Sequence, residues 1–217
     1  MKALLFDLDG TLTDSAPGII NSVQYALDAL KASALPDEVL RKFLGPPLWD
    51  SFPRYCGFDA ETTKEAVRLY REYYAVHGIR EQRLYNGIPE LMVELHQQDI
   101  PLFLATAKPD MYAGKILEDM KLDHLFKDIC GASADSSRAD KTSIIGHVIA
   151  KHGINPHESW MVGDKEHDIH GAHAHSMNSI ACAYGYGSEK EIHDSSPTHI
   201  CSTVEELREL LLGIHFN

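Results

Sequence analysis

The chain has 217 residues, with 32 Asp and Glu against 20 Lys and Arg for a formal net charge of −12. That length suits one large domain, or one domain with a modest insertion, because single cores stop growing near roughly 250 residues. With 44% hydrophobic and 24% charged residues the chain is too apolar to be disordered. Its acidity excludes a general binder of nucleic acid polymers or anionic membranes, both of which need a cationic face.

Four cysteines, Cys56, Cys130, Cys182 and Cys201, are widely spaced with no C-x-x-C pair, so neither a zinc knuckle nor a disulfide scaffold is indicated. The chain opens on a short apolar segment, Ala3 to Phe6. It is too short for a signal peptide or a membrane span, and a cytoplasmic protein without membrane partners is expected.

In chain order, Lys2 to Phe6 is a continuous apolar run ending at polar residues, the pattern of a strand buried on both faces of a parallel sheet. Residues 15–83 break that pattern. They carry Ile19, Val23, Ala26, Leu27 and Leu30 at helical spacing, a Gly45-Pro46-Pro47 turn, and then Ala66, Leu69, Tyr70 and Tyr73. This is the signature of a helical insertion, whose return at Tyr85-Asn86-Gly87-Ile88 has turn chemistry suited to a hinge. A helix through Leu91 and Leu95 starts at Pro89, a strand is expected over Pro101 to Ala105, and a helix through Ile116, Leu117 and Met120 starts near Pro109. Next come a helical stripe at Ile144, Ile145, Val148 and Ile149, then strands over Ser159 to Val162 and Ser179 to Ala183. The last helix, with Val204, Leu207, Leu210 and Leu211, follows a Thr203-x-x-Glu206 capping box. Alternating strands and helices imply an α/β doubly wound parallel sheet built from 1–14 and 84–217, with 15–83 as a helical insert.

Asp7-Leu8-Asp9-Gly10-Thr11 ends the first strand, where open α/β sheets bind ligands. Two carboxylates brought within about 4 Å repel by roughly 4 kcal/mol at an effective dielectric near 20, so a cation between them is expected. A second buried strand ends in Gly163-Asp164, with Asp168 about one helical turn on. Four convergent carboxylates fit a hard, oxygen-ligated cation, Mg²⁺ in particular. Thr106, before the helix near Pro109, offers a hydroxyl and helix-start N–H groups to a phosphate, and Lys141 is the second cationic candidate. Taken singly, each has an ordinary structural explanation: Asp-Gly turns, N-caps, a strand-end threonine, a solvated lysine. Their order along the chain is what raises them.

Asp7-Leu-Asp9-Gly-Thr11, Thr106, Lys141 and Gly163-Asp164-Lys-Glu-His-Asp168 resemble the four ordered motifs of the haloacid dehalogenase superfamily of phosphohydrolases. Gly45-Pro-Pro-Leu48, Ala105-Thr-Ala-Lys-Pro109 and Tyr184-Gly-Tyr-Gly187 resemble its phosphoglycolate phosphatase and 5′-nucleotidase-like branch. The resemblance implies a Rossmann-like core with a small helical cap at 15–83. It also implies a Mg²⁺-dependent phosphatase acting on a small phosphate ester. Asp7 would then be the nucleophile and Asp9 the acid and base, with Thr106, Ala107 and Lys141 on the phosphate. Mg²⁺ would be held by the Asp7 carboxylate, the Asp9 main-chain carbonyl and Asp164, with Asp168 orienting that set. Asn86 stands where a hinge proline is common and Ala107 where a serine is frequent. Asp9 favours phosphoryl transfer, since dehalogenases need no acid for a halide. The rival readings are a phosphomutase of the same superfamily and a receiver-like phosphate-binding module; receivers have about half this length and no insertion.

Arg41, Lys42, Trp49, Arg54 and Tyr55 are candidate specificity residues near the Gly45-Pro-Pro turn, and Tyr70, Tyr73 and Tyr74 read as packing. His167, His170, His173 and His175 could face two imidazoles to one metal. No acidic or thiol ligand completes a set, and the stretch reads as a solvated helix.

Overall fold

A computed structural model describes residues 1–133, Arg138 and 140–214. In chain order the strands are β1 (Leu4–Phe6), β2 (Thr13–Asp14), β3 (Arg83–Leu84), β4 (Leu102–Pro109), β5 (Asp128–Ala132), β6 (Trp160–Gly163), β7 (Asn178–Cys182) and β8 (His199–Cys201). The helices are α1 (Ala16–Ala29), α2 (Asp37–Leu40), α3 (Leu48–Cys56), α4 (Ala60–Val76), α5 (Ile88–Gln97), α6 (Asp110–Asp119), α7 (Lys141–His152), α8 (Glu166–Ala174), α9 (Glu189–Asp194) and α10 (Val204–Gly213). Two compact units result: Met1–Thr13 with Leu84–Asn217, and Asp14–Arg83. None of the described helices is long and apolar enough to cross a membrane.

The Asp14–Arg83 unit is built from α1 to α4. α1 presents Val23, Ala26 and Leu27, and α4 presents Ala66, Val67 and Tyr70; all are buried, and the two helices pack together. Asp59 starts α4 by accepting the Thr62 N–H at 2.8 Å, which satisfies one of the four orphan donors of the first turn. Phe43 meets Phe52 edge-on at 5.2 Å, and Tyr70 stacks on Tyr74 at 5.7 Å, so these rings are packing groups of this unit.

The other unit holds a six-stranded sheet in the order β5-β4-β1-β6-β7-β8, with each pairing parallel. Leu5 is flanked by Phe103 and Met161. These three pack on one face against Ile144, Ile145 and Val148 of α7 and Ala172 of α8. Their neighbours Leu4, Phe6, Leu102 and Leu104 alternate to the opposite face and are buried as well. Burial on both faces is why the strands read as unbroken apolar runs.

The four strands expected from apolar runs are present. β5 and β8 were not expected: β5 is Asp-Ile-Cys-Gly-Ala and partly exposed, β8 is only His199-Ile-Cys201, and as sheet edges neither needs a continuous apolar run. Pro109 lies one residue before α6, at its N-cap rather than in its first turn. The capping box at α10 is half formed. Thr203 accepts the Glu206 N–H at 3.1 Å, whereas the Glu206 carboxylate turns to the Ser202 N–H at 2.6 Å.

Candidate active site

In the six-stranded sheet the chain runs outward from β1 through β4 to β5, then returns to β1's other side for β6, β7 and β8. The order therefore reverses between β1 and β6. Loops after adjacent strands at such a point diverge to opposite faces and leave a crevice at the strands' carboxyl ends. Asp7 follows β1 there and Asp164 follows β6, and the Asp7 N–H donates to the Val162 carbonyl at 2.9 Å to lock the two ends together.

Asp9 and Gly10 sit in a tight loop in which the Leu8 carbonyl accepts the N–H groups of Leu12 and Thr13, each at 2.9 Å. Gly10 has φ +82°, and a Cβ on it would stand 2.2 Å from Asp164 Oδ2, so both the backbone and the neighbouring carboxylate require glycine. Asp164 is fully buried. Its Oδ2 accepts the Tyr186 N–H at 2.7 Å, and its Oδ1 lies 3.4 Å from the Thr11 hydroxyl. Asp168, in the first turn of α8, accepts the Lys165 N–H at 3.1 Å.

Lys141 opens α7 and is buried. Its ammonium lies 2.8 Å from Asp7 Oδ1 and 2.7 Å from Asp168 Oδ1, and donates to the Ala105 carbonyl at 2.9 Å. The two carboxylate contacts are ion pairs and the third is a hydrogen bond. Ligand oxygens of Asp7, Asp164 and Asp168 all lie within 4.8 Å of one another. Thr106 is buried at the adjacent end of β4, its hydroxyl oxygen accepting the Lys108 N–H at 3.3 Å; Ala107 beside it is exposed.

One ammonium is paired with only two of the cluster's three carboxylates, and the acid–base behaviour follows from that imbalance. Burial first, then the charges of Asp168 and Asp7, push the Asp164 carboxyl well above the ordinary carboxylate range. Burial pushes Asp168 up to about 6 against the pull of Lys141, with the Asp7 charge adding to the rise. Burial disfavours the Lys141 ammonium, but Asp168 and Asp7 outweigh it and hold the group above its usual range. Hard oxygen donors, a shared deficit of positive charge and ligand atoms within one ion's reach make this cluster fit Mg²⁺.

The charge deficit gives a signed expectation. Between about pH 4 and pH 6 the folded protein holds a proton on Asp168 that the unfolded chain, at its ordinary value of 3.8, has released. Without metal, stability therefore falls as pH rises through that window. Mg²⁺ bound at the cluster would replace the protons, so the rise in melting temperature on adding Mg²⁺ should be larger at pH 7.5 than at pH 5. A Mg²⁺ effect independent of pH would contradict this.

The matches to known proteins agree with the geometry. The family model described as haloacid dehalogenase-like hydrolase matches residues 4–182. The chain belongs to that family. It is 40% identical over 208 residues to a 5′-nucleotidase of Pseudomonas aeruginosa, covering 96% of this chain and 94% of that one. It is 36% identical to the tyrosine-protein kinase PtkA of Mycobacterium tuberculosis, covering 97% of this chain and 72% of that one. A crystal structure of a predicted phosphatase from Clostridium acetobutylicum superposes with a TM-score of 0.90 at 38% identity, over 97% of this chain and 98% of that one. The protein is thus a haloacid dehalogenase-type phosphatase with the α/β fold of that family.

Asp7, Lys141 and the Asp164–Asp168 segment come together from three separate stretches of chain, and Asp9 and Thr106 stand at the same sheet end. The histidines do not assemble: His173 lies 3.2 Å from the Ser179 hydroxyl and His175 lies 2.9 Å from the Thr142 carbonyl. Among the described residues, the acidic triad is the sole group of His, Cys, Asp and Glu placed to hold an ion. Two participants were not foreseen. The Tyr186 N–H reaches Asp164 by a main-chain contact that leaves no side-chain signature. Lys108, in Ala105-Thr-Ala-Lys-Pro109, ion-pairs with Asp9 at 2.5 Å.

Proposed function

We propose that this haloacid dehalogenase-type phosphatase is a Mg²⁺-dependent phosphomonoesterase acting on a small phosphorylated metabolite, a nucleoside monophosphate or a phosphoglycolate-like ester, through an aspartyl-phosphate on Asp7. The observation that carries it is the Lys141 ammonium held between Asp7 and Asp168, with Asp164 in ligand reach and Asp9 two residues beyond Asp7.

Asp7 attacks phosphorus, and the bond to the leaving oxygen breaks with its electron pair on that oxygen, which takes a proton from Asp9. The Asp9 carboxylate then accepts a proton from the water that attacks the aspartyl-phosphate. The Asp7–phosphorus link breaks, its electrons return to the carboxylate, and inorganic phosphate leaves. Asp7, Asp164 and the Asp9 carbonyl would hold Mg²⁺, with Asp168 orienting them, and the ion would neutralise charge on the phosphoryl oxygens. Lys141 offsets the Asp7 charge and fixes its carboxylate for in-line approach. Thr106, the Ala107 main chain and Lys141 face the remaining oxygens. This is catalysis mainly by positioning and fixed charge. The Asp14–Arg83 unit serves as the cap that selects the substrate, and the protein works in the cytoplasm.

The test is purified protein with Mg²⁺ against phosphoglycolate, nucleoside 5′-monophosphates, sugar phosphates and 4-nitrophenyl phosphate. Phosphate release from small esters, abolished by chelation and restored by Mg²⁺, is the expected result. Interconversion of sugar phosphate isomers without net release would point to a mutase. Phosphoryl transfer from ATP to a tyrosine peptide would align the chain with its kinase-named relative, whose difference would lie in the acceptor that relieves Asp7.

A further inference from the structure

Lys108 is a cation near the cluster that the mechanism above leaves without a task. Its side chain is only 7% exposed, although a lysine free to follow its solvation would reach water. It comes to Asp9 through an irregularity in the sheet. β4 pairs with β5 in register up to Ala105–Cys130, and the register has shifted by Pro109–Ala132, with Thr106, Ala107 and Lys108 in the interval. Such shifts re-aim side chains beside active sites. This one is held firmly. The Lys108 N–H is bonded to the Thr106 hydroxyl oxygen, and a Cβ on Gly131 would stand 2.2 Å from the Lys108 carbonyl oxygen, so the β5 backbone is packed against the shifted segment.

The other half of the contact is Asp9. Its Oδ2 lies on the Lys108 ammonium at 2.5 Å, while its Oδ1 is buried with no hydrogen-bond partner. Among the described residues no other side chain bonds to Asp9, so the direction of its carboxylate rests on Lys108. We propose that Lys108 is a positioning residue for Asp9, gripping Oδ2 so that Oδ1 is the oxygen that exchanges protons with the leaving group and the attacking water. The proposal rests on the reading of Asp9 as acid and base.

A positioning role for an acid leaves a mark that a structural or phosphate-binding role does not. An alkoxide leaving group needs its proton as the bond to phosphorus breaks, whereas 4-nitrophenolate departs without one. The quantity kcat/KM reports the steps through departure of the leaving group. For Lys108→Met, kcat/KM on a nucleoside 5′-monophosphate should fall by about 10²-fold, the scale of a misplaced catalytic group. On 4-nitrophenyl phosphate it should stay within about 3-fold. Hydrolysis of the aspartyl-phosphate still needs Asp9 as base, so the variant should show a burst of nitrophenolate followed by slow turnover. Lys108→Arg should recover part of the loss, and in an Asp9→Asn background Lys108→Met should have little further effect.

Equal losses on the two substrates, or no loss on either, would overturn the proposal. If Lys108→Met does not fold, Lys108→Arg carries the same comparison through a smaller change of geometry, and an unselective effect there counts equally against it. If Asp9→Asn alone shows no preference between the two leaving groups, the reading of Asp9 as acid is what fails, and Lys108 falls with it.

Discussion

Asp7→Asn is expected to lower kcat by at least about 10⁴-fold on any substrate the enzyme accepts, while the protein remains folded. The amide keeps the size and shape of the carboxylate but is a poor nucleophile, so the covalent route closes and no side chain of comparable reach replaces it. The fold should survive because the substitution removes one of the two carboxylates paired with the Lys141 ammonium, which keeps Asp168 at 2.7 Å and the Ala105 carbonyl at 2.9 Å. The melting temperature without metal should change by no more than a few degrees. Phosphate release and thermal unfolding on the same sample provide the check. Substantial residual turnover in a correctly folded variant would remove the aspartyl-phosphate route.

Lys141→Met has the second large effect, and it falls on stability as well as rate. Lys141 is 5% exposed, and its partners Asp7 and Asp168 are 12% and 1% exposed, so its removal leaves buried carboxylates facing one another without a protein cation. Breaking a buried pair from one side costs about 3–5 kcal/mol. For a chain of this length that corresponds to a fall of roughly 6–20 °C in melting temperature. The fall should be largest near neutral pH without metal. It should shrink at pH 5, where Asp168 takes up a proton, and saturating Mg²⁺ should restore part of it. Turnover should stay low even with the fold restored, because Asp7 is no longer held. Unchanged stability in the metal-free variant at pH 7.5 would show that the cluster does not depend on Lys141.

Much of the core was legible along the chain because parallel strands buried on both faces must be apolar throughout. Lys2 to Phe6, Pro101 to Ala105, Ser159 to Val162 and Ser179 to Ala183 carry that mark. The edge strands β5 and β8 do not, since an edge is covered on fewer sides and tolerates Asp128, Gly131 and His199. Asp7, Asp9 and Asp164 were legible because each follows directly on an apolar run. Thr106 and Lys141 gained weight only from their order among the elements.

The sequence by itself determined the alternation of strands and helices, the long helical insert, and the identity of the acidic, hydroxyl and lysine groups at strand ends and helix starts. These are local properties, set by side-chain period and turn chemistry. The tertiary structure decided how charges are shared. Lys141 lies between Asp7 and Asp168, Asp168 stands within ion reach of Asp164, and Lys108 crosses to Asp9 from 99 residues away. An ion pair depends on the separation of two side chains in space and on how well water is excluded from between them. Only sheet order, strand register and the shift at the end of β4 bring those distances about.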